Sequence, residues 1–163
     1  MSKNNIVIRE IRKQDNARIE QIIRAAFPEF NIPLTGTAYE DEETPLMFES
    51  YQKDNEVYYV IEINGEVLGG GGIKQLRGFD DSICELQKMY FSPEIRGKGV
   101  GKKLIEKCIN SAKKFGYKKC YLESAPQLKA AIHIYKSFGF KHLNESLGNT
   151  GHSYCAVWMI KDL

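Results

Sequence analysis

The sequence predicts an α/β (α+β mixed) fold in which helices flank a mixed central sheet. Three observations carry this expectation: short runs that alternate apolar and polar residues, longer runs with apolar residues at helical spacing, and turn residues that separate them. Together they give about seven strands and about four helices, in the order β-α-α-β-β-β-α-β-α-β-β.

"NIVIREI" (5–11) alternates and is the first strand. The spacing of Ile19, Ile22, Ile23, Ala26 and Phe27 predicts a helix over 13–27, closed by Pro28. A short second helix is expected near Thr44-Pro45, with Thr44 as N-cap and Pro45 in the first turn. Asn64-Gly65 joins strands 56–63 and 66–76, because a two-residue hairpin turn needs positive φ at both positions. Residues 81–93 form another strand, ended by Ser92-Pro93. A helix over 99–115, a strand over 117–124 and a helix over 126–138 follow, with Gly116 and Gly139 as stops. Residues 140–143 and 152–160 close the sheet. "GGGG" (69–72) inside a strand suggests a bulge, a close backbone approach or simple packing.

At 163 residues, without a linker or an internal repeat, the chain is expected to be one domain, 1–163. Hydrophobic residues at 42% and charged residues at 27% place it among soluble globular proteins. A formal net charge of +2 argues against a chain-wide polyanion binder, so any basic function is local. No run has the length needed to cross a bilayer, and "MSKNN" lacks the apolar stretch of a signal peptide, so a cytoplasmic location is expected. Cys84, Cys108, Cys120 and Cys155 show no C-x-x-C pairing and are expected to be reduced thiols. A zinc site joining them with His133, His142 or His152 lacks ligand spacing, so no metal is expected.

The chemistry concentrates in "RGKGVGKKLI" (96–105). This stretch follows a strand and opens an amphipathic helix carrying Leu104, Ile105, Cys108, Ile109 and Ala112. Glycines at such a helix start present backbone N–H groups and the positive dipole end to an anion. Arg96, Lys98, Lys102 and Lys103 add charge, which suits a pyrophosphate. The Walker pattern fails because Lys102 precedes Lys103 rather than a hydroxyl residue. The dinucleotide fingerprint fails because the spacing is G-x-G-x-G.

"RGKGVG" resembles the R/Q-x-x-G-x-G/A motif of the Gcn5-related N-acetyltransferases, the GNAT superfamily. "AAIHIYKSFGF" resembles the same family's A-x-x-x-Y-x-x-x-G-F segment through Ala131, Tyr135, Gly139 and Phe140. The resemblance is strong over 84–140 and weak over 1–55. It implies a mostly antiparallel sheet and an acetyl-CoA-dependent N-acetyltransferase working by direct transfer in a ternary complex.

By the same resemblance, Arg96, Gly97, Lys98, Gly99, Val100, Gly101 and Lys102 hold the coenzyme's pyrophosphate, and the main chain of Met89, Tyr90 and Phe91 pairs with its pantetheine arm. Glu85 takes the place of the family's general base and Tyr135 that of its general acid. Period-two spacing puts Glu85, Gln87 and Met89 on one strand face. One departure stands out: many members carry Asn seven residues before the Tyr, and here that position is Leu128.

The acceptor amine, a small molecule or a peptide, is left open. Phe27, Phe30, Ile32 and Leu34 are candidates for its walls. The acidic run Glu40, Asp41, Glu42 and Glu43 either attracts a cationic amine or is simply solvated. A catalytically inactive coenzyme A-binding module is the alternative. A nucleic-acid binder using the basic stretch 96–119 is disfavoured by the small net charge and the absence of interleaved aromatics. No membrane partner is expected; a homodimer pairing through "WMIKDL" stays open.

Overall fold

The structure, a computed structural model, describes residues 5–163. Seven strands form one sheet: β1 (Ile6–Glu10), β2 (Val57–Ile63), β3 (Glu66–Gln75), β4 (Ile83–Phe91), β5 (Lys119–Ser124), β6 (Lys141–Leu143) and β7 (Val157–Asp162). Their spatial order is β1-β2-β3-β4-β5-β7-β6, and every neighbouring pair is antiparallel except β4 and β5. The mixed, mostly antiparallel sheet is thus as expected, with the hairpin turn at Asn64 and Gly65 at φ 52° and 85°.

Among the described residues there are three α-helices rather than four: α1 (Asn16–Glu29), α2 (Val100–Lys114) and α3 (Lys129–Ser137). The stretch at Thr44–Leu46 is a single 3-10 turn, with Glu43 in the N-cap position. Thr44 is fully buried and donates its hydroxyl to the Ala38 carbonyl at 2.6 Å, so its side chain is committed backwards instead of capping a helix. Pro28 does not close α1. It sits in the last turn, where it forfeits one bond, and the Phe30 N–H still reaches the Ala26 carbonyl at 3.0 Å.

The sheet has a core on each face. Leu104, Ile105, Cys108 and Ala112 of α2 pack on Ile61, Ile73, Cys84, Leu86 and Cys120. Ile19, Ile22, Ile23 and Phe27 of α1 pack on Tyr58 and Val60 across the other face, with Met47 from the α1–β2 connection. Each such aliphatic side chain, once buried, contributes about 1.5–3 kcal/mol. β7 is flanked by β5 and, over Trp158–Ile160, by β6, so pairing across a dimer through those three residues would have to displace β6.

The four glycines of β3 open room on both of its faces. A Cβ on Gly70 would lie 2.7 Å from the Tyr58 hydroxyl, and one on Gly72 2.8 Å from Cδ2 of the same ring. On the opposite face, a Cβ on Gly69 or Gly71 would lie 2.7 Å from Phe91 or Met89. Close approach by side chains explains the run.

Candidate active site

β4 and β5 pair only over Ile83, Cys84 and Glu85. Beyond Glu85 they separate, because β5 keeps β7 along its other edge while β4 stays with β3. From Leu86 to Phe91 one edge of β4 therefore has no strand partner among the described residues, and a cavity lies beside it. Glu85, at the apex of the seam, lines that cavity together with Tyr135 of α3.

β4 does not keep period two. Its register to β3 slips between Gly70 and Gly72, and Lys88 takes φ 49°. This bulge reverses the alternation after it. Glu85, Gln87, Lys88 and Tyr90 serve the α1 side, whereas the Met89 side chain packs against Gly71 on the α2 side. The expectation that Met89 shares a face with Glu85 and Gln87 is therefore corrected. Tyr58 spans the slip and donates its hydroxyl to the Lys88 carbonyl at 2.8 Å.

Glu85 is 3% exposed. One carboxylate oxygen accepts from Gln87 Nε2 at 2.6 Å, and Gln87 is itself oriented by the Tyr51 hydroxyl at 2.8 Å. The other oxygen has no partner among the described residues. Burial pushes the Glu85 carboxyl up to about 7, against the bond from Gln87, and the nearby Glu123 charge adds to the rise. Tyr135 is 8% exposed and stacks edge-on against Phe140 at 6.0 Å, and its hydroxyl bonds to no described residue. Burial raises its pKa, so it is a protonated donor at neutral pH.

Two residues of the acidic run, Asp41 and Glu43, turn inward, while Glu40 and Glu42 are exposed. Asp41 and Glu43 hold the Lys88 ammonium at 3.1 and 3.2 Å, and Glu43 also holds Lys74 at 3.1 Å. His152 closes the same wall, with Nε2 2.7 Å from Asp41 and Nδ1 3.8 Å from Glu123. Burial disfavours the imidazolium, but the hydrogen bond and charge of Asp41 outweigh it and raise its pKa. Sequence patterns missed Glu123 and His152 as acceptor-side residues and offered Asp41 only as part of the acidic run: Asp41 and His152 meet across 111 positions, and no local spacing signals such a pair. Of the suggested wall residues, Phe27 and Ile32 line the cavity, Phe30 lies beneath the Arg96 guanidinium, and Leu34 is exposed.

The loop before α2 has Gly97 and Gly99 at φ 75° and 76°. Open space surrounds the positions where their Cβ atoms would stand, so these glycines serve the backbone path that turns N–H groups outward at the helix start. Lys98 and Lys102 are exposed beside it, Gly101 is half-buried in the first turn, and the Val100 side chain is in the core. Arg96 points elsewhere: it donates to the Phe91 carbonyl at 2.7 and 3.1 Å and pairs with Glu29, tying the loop to β4 and α1. Leu128 lines the cavity, and Gln127 is held by Tyr154. Cys84, Cys108 and Cys120 are buried on the α2 side, away from Glu85. Among the described residues no group of His, Cys, Asp and Glu is arranged to hold a metal ion, and no helix is long and apolar enough to cross a membrane.

Residues 17–140 match the model of the acetyltransferase (GNAT) family. The chain belongs to this family. It is 42% identical over 158 residues to the uncharacterized N-acetyltransferase YjgM of Escherichia coli (strain K12), covering 96% of this chain and 95% of that one. It is 28% identical to the L-amino acid N-acyltransferase MnaT of the same organism, over 82% of this chain and 78% of that one. Among solved structures, the GNAT-family acetyltransferase of Staphylococcus aureus Mu50 superposes with a TM-score of 0.82 at 19% identity, covering 97% of this chain and 99% of that one. The protein yncA of Salmonella typhimurium, solved with its cofactor acetyl-CoA, superposes with a TM-score of 0.77 at 24% identity, over 97% of this chain and 94% of that one. The GNAT fold and the acyltransferase class expected from the motifs are thus established.

Proposed function

We propose that the protein acetylates an amine by direct transfer from acetyl-CoA, with both substrates bound together. The observation that carries this reading is the buried Glu85 carboxyl, poised near neutrality, with one free oxygen on a cavity it shares with the Tyr135 hydroxyl. The chain's own groups fit the coenzyme. The edge of β4 that has no strand partner offers main-chain groups at Met89 and Tyr90, with the Phe91 carbonyl already held by Arg96, and the open turn of Gly97 and Gly99 offers N–H groups with Lys98 and Lys102 beside it. Arg96 acts by holding that turn. When bound, acetyl-CoA supplies the activated acyl thioester.

In this reading Glu85 takes a proton from the acceptor ammonium, which frees the nitrogen lone pair for attack. Tyr51 and Gln87 hold the carboxylate so that its free oxygen faces the cavity. As the C–N bond forms and the C–S bond breaks, Tyr135 donates its hydroxyl proton to the departing sulfur, and the second proton shed by the acylated nitrogen restores the neutral phenol. No cysteine needs to carry the acyl group, and burial pushes the Cys155 thiol, the one that lines the cavity, up to about 12.

Titration calorimetry with acetyl-CoA and coenzyme A tests the binding half, using wild type and Gly101→Glu. Gly101 lies in the first turn of α2, where a Cβ meets only the Phe91 ring at 3.5 Å, so the substitution adds a carboxylate without backbone strain. Expected is binding that weakens at least tenfold in the variant while the fold is retained. Initial velocities test the transfer half. Lines that intersect when both substrates are varied support direct transfer, and parallel lines refute it.

A further inference from the structure

We infer that the acceptor is an amine that carries no carboxylate beside its amino group, so that amino acids are poor substrates and their decarboxylated counterparts good ones. This rests on the proposed acetyl-transfer reading and adds the substrate class. On the cavity wall Glu85, 97% buried, presents an oxygen without a partner among the described residues. An ammonium is its natural complement.

Among the described residues no cation on the cavity wall is left over for a carboxylate. The basic side chains that line the cavity are Lys88 and His152. Lys88 lies between Asp41 and Glu43, at 3.1 and 3.2 Å, with its side chain only 3% exposed. His152 is held by Asp41 at 2.7 Å, with Glu123 at 3.8 Å on its other nitrogen. Lys74, behind them, is taken by Glu43, the Ser50 carbonyl and the Tyr51 ring. Glu123 completes the acidic side, its oxygens accepting from Tyr121 and Thr150. A substrate carboxylate about 6 Å from Glu85, in a medium of effective dielectric about 20, is disfavoured about a hundredfold, and nothing on the wall offsets that. The relative MnaT has L-amino acids in its name; this chamber is built for a different acceptor.

The test is a panel of matched pairs with thiol release from acetyl-CoA as readout: phenethylamine and phenylalanine, tyramine and tyrosine, putrescine and ornithine, agmatine and arginine. Expected is that within each reactive pair the decarboxylated amine has a kcat/KM at least about thirtyfold higher. An amino acid turned over as well as its amine overturns the inference. So does acetyl-CoA binding by calorimetry with no amine of the panel turned over, and in that case the coenzyme reading still stands. Absence of acetyl-CoA binding instead removes the reading on which the inference rests. The double variant Asp41→Asn, Glu43→Gln frees the Lys88 ammonium and is expected to narrow the amine preference at least fivefold; an unchanged preference in a folded variant also overturns the inference. The wild-type panel decides alone should that variant fail to fold.

Discussion

Replacing Glu85 by Gln should move activity and stability in opposite directions. In the folded chain the Glu85 carboxyl rises from the ordinary 4.5 to about 7, chiefly because burial penalises its charge. At about 1.4 kcal/mol for each tenfold change in proton affinity, the ionised form costs the native state about 3 kcal/mol. The sign follows from linkage: the native state binds the proton more tightly, so the stability is full below pH 4.5 and is lost as pH rises through 7. The amide carries no such charge. Relative to wild type, Glu85→Gln should gain about 3 kcal/mol between pH 4.5 and pH 8.5, whatever constant offset comes from the altered contact with Gln87. Urea unfolding of both proteins across that range measures the difference. Over the same range kcat/KM of wild type should rise through a pKa near 7, and the variant should lose that limb together with about 10²–10⁴-fold in rate. A stability difference that stays flat with pH refutes the buried-charge argument. A variant that keeps both its rate and the limb refutes Glu85 as the base.

Tyr135→Phe should lower kcat about a hundredfold while leaving the unfolding temperature nearly unchanged, because the hydroxyl makes no bond within the described chain; thiol release and thermal melts check the two halves. Gly72→Ala should destabilise by about 1–3 kcal/mol in urea unfolding, since its Cβ would lie 2.5 Å from the Val57 carbonyl oxygen and 2.8 Å from the Tyr58 ring. His152 holds its proton more tightly when folded. Its contribution is therefore present below pH 6.5 and fades as pH rises, and thermal melts should show His152→Gln most destabilised near pH 6 and closest to wild type near pH 9.

The parts of this molecule that are legible in the sequence are those written in local spacing. The hairpin at Asn64-Gly65, the apolar stripe of α2 and the glycine turn at its start each rest on neighbours a few residues apart. The short second helix was expected on equally local grounds, but Thr44 spends its hydroxyl on Ala38. The acceptor side is illegible for a different reason. Asp41, Lys88, Glu123 and His152 come from four separate segments, and ion pairs closing over such distances leave no periodicity to find. The acidic run 40–43 looks like a solvated surface until the buried Lys88 that it neutralises is known.

Lys88 is also where the glycine run of β3 and the open seam of β4 become one feature. Without the extra residue at the slip, strict alternation would aim Lys88 into the α2 core and Met89 at the chamber. A non-glycine residue at φ 49° costs about 1–3 kcal/mol, and the chain offsets it locally. Tyr58 donates to the Lys88 carbonyl, and the ammonium gains two carboxylates. Tyr58 can reach that carbonyl only because Gly70 and Gly72 leave it a path across β3 with no Cβ in the way. The glycines of one strand thus hold the bulge of the next, and the bulge sends Lys88 and Tyr90 to the cavity side with Glu85 while the Met89 side chain turns to the core. The perturbation that separates these roles is at Gly72: a methyl there meets no cavity-lining group directly but presses on Tyr58, so a loss of transfer rate would travel through Tyr58 to the bulge or to the neighbouring Tyr51 that orients Gln87.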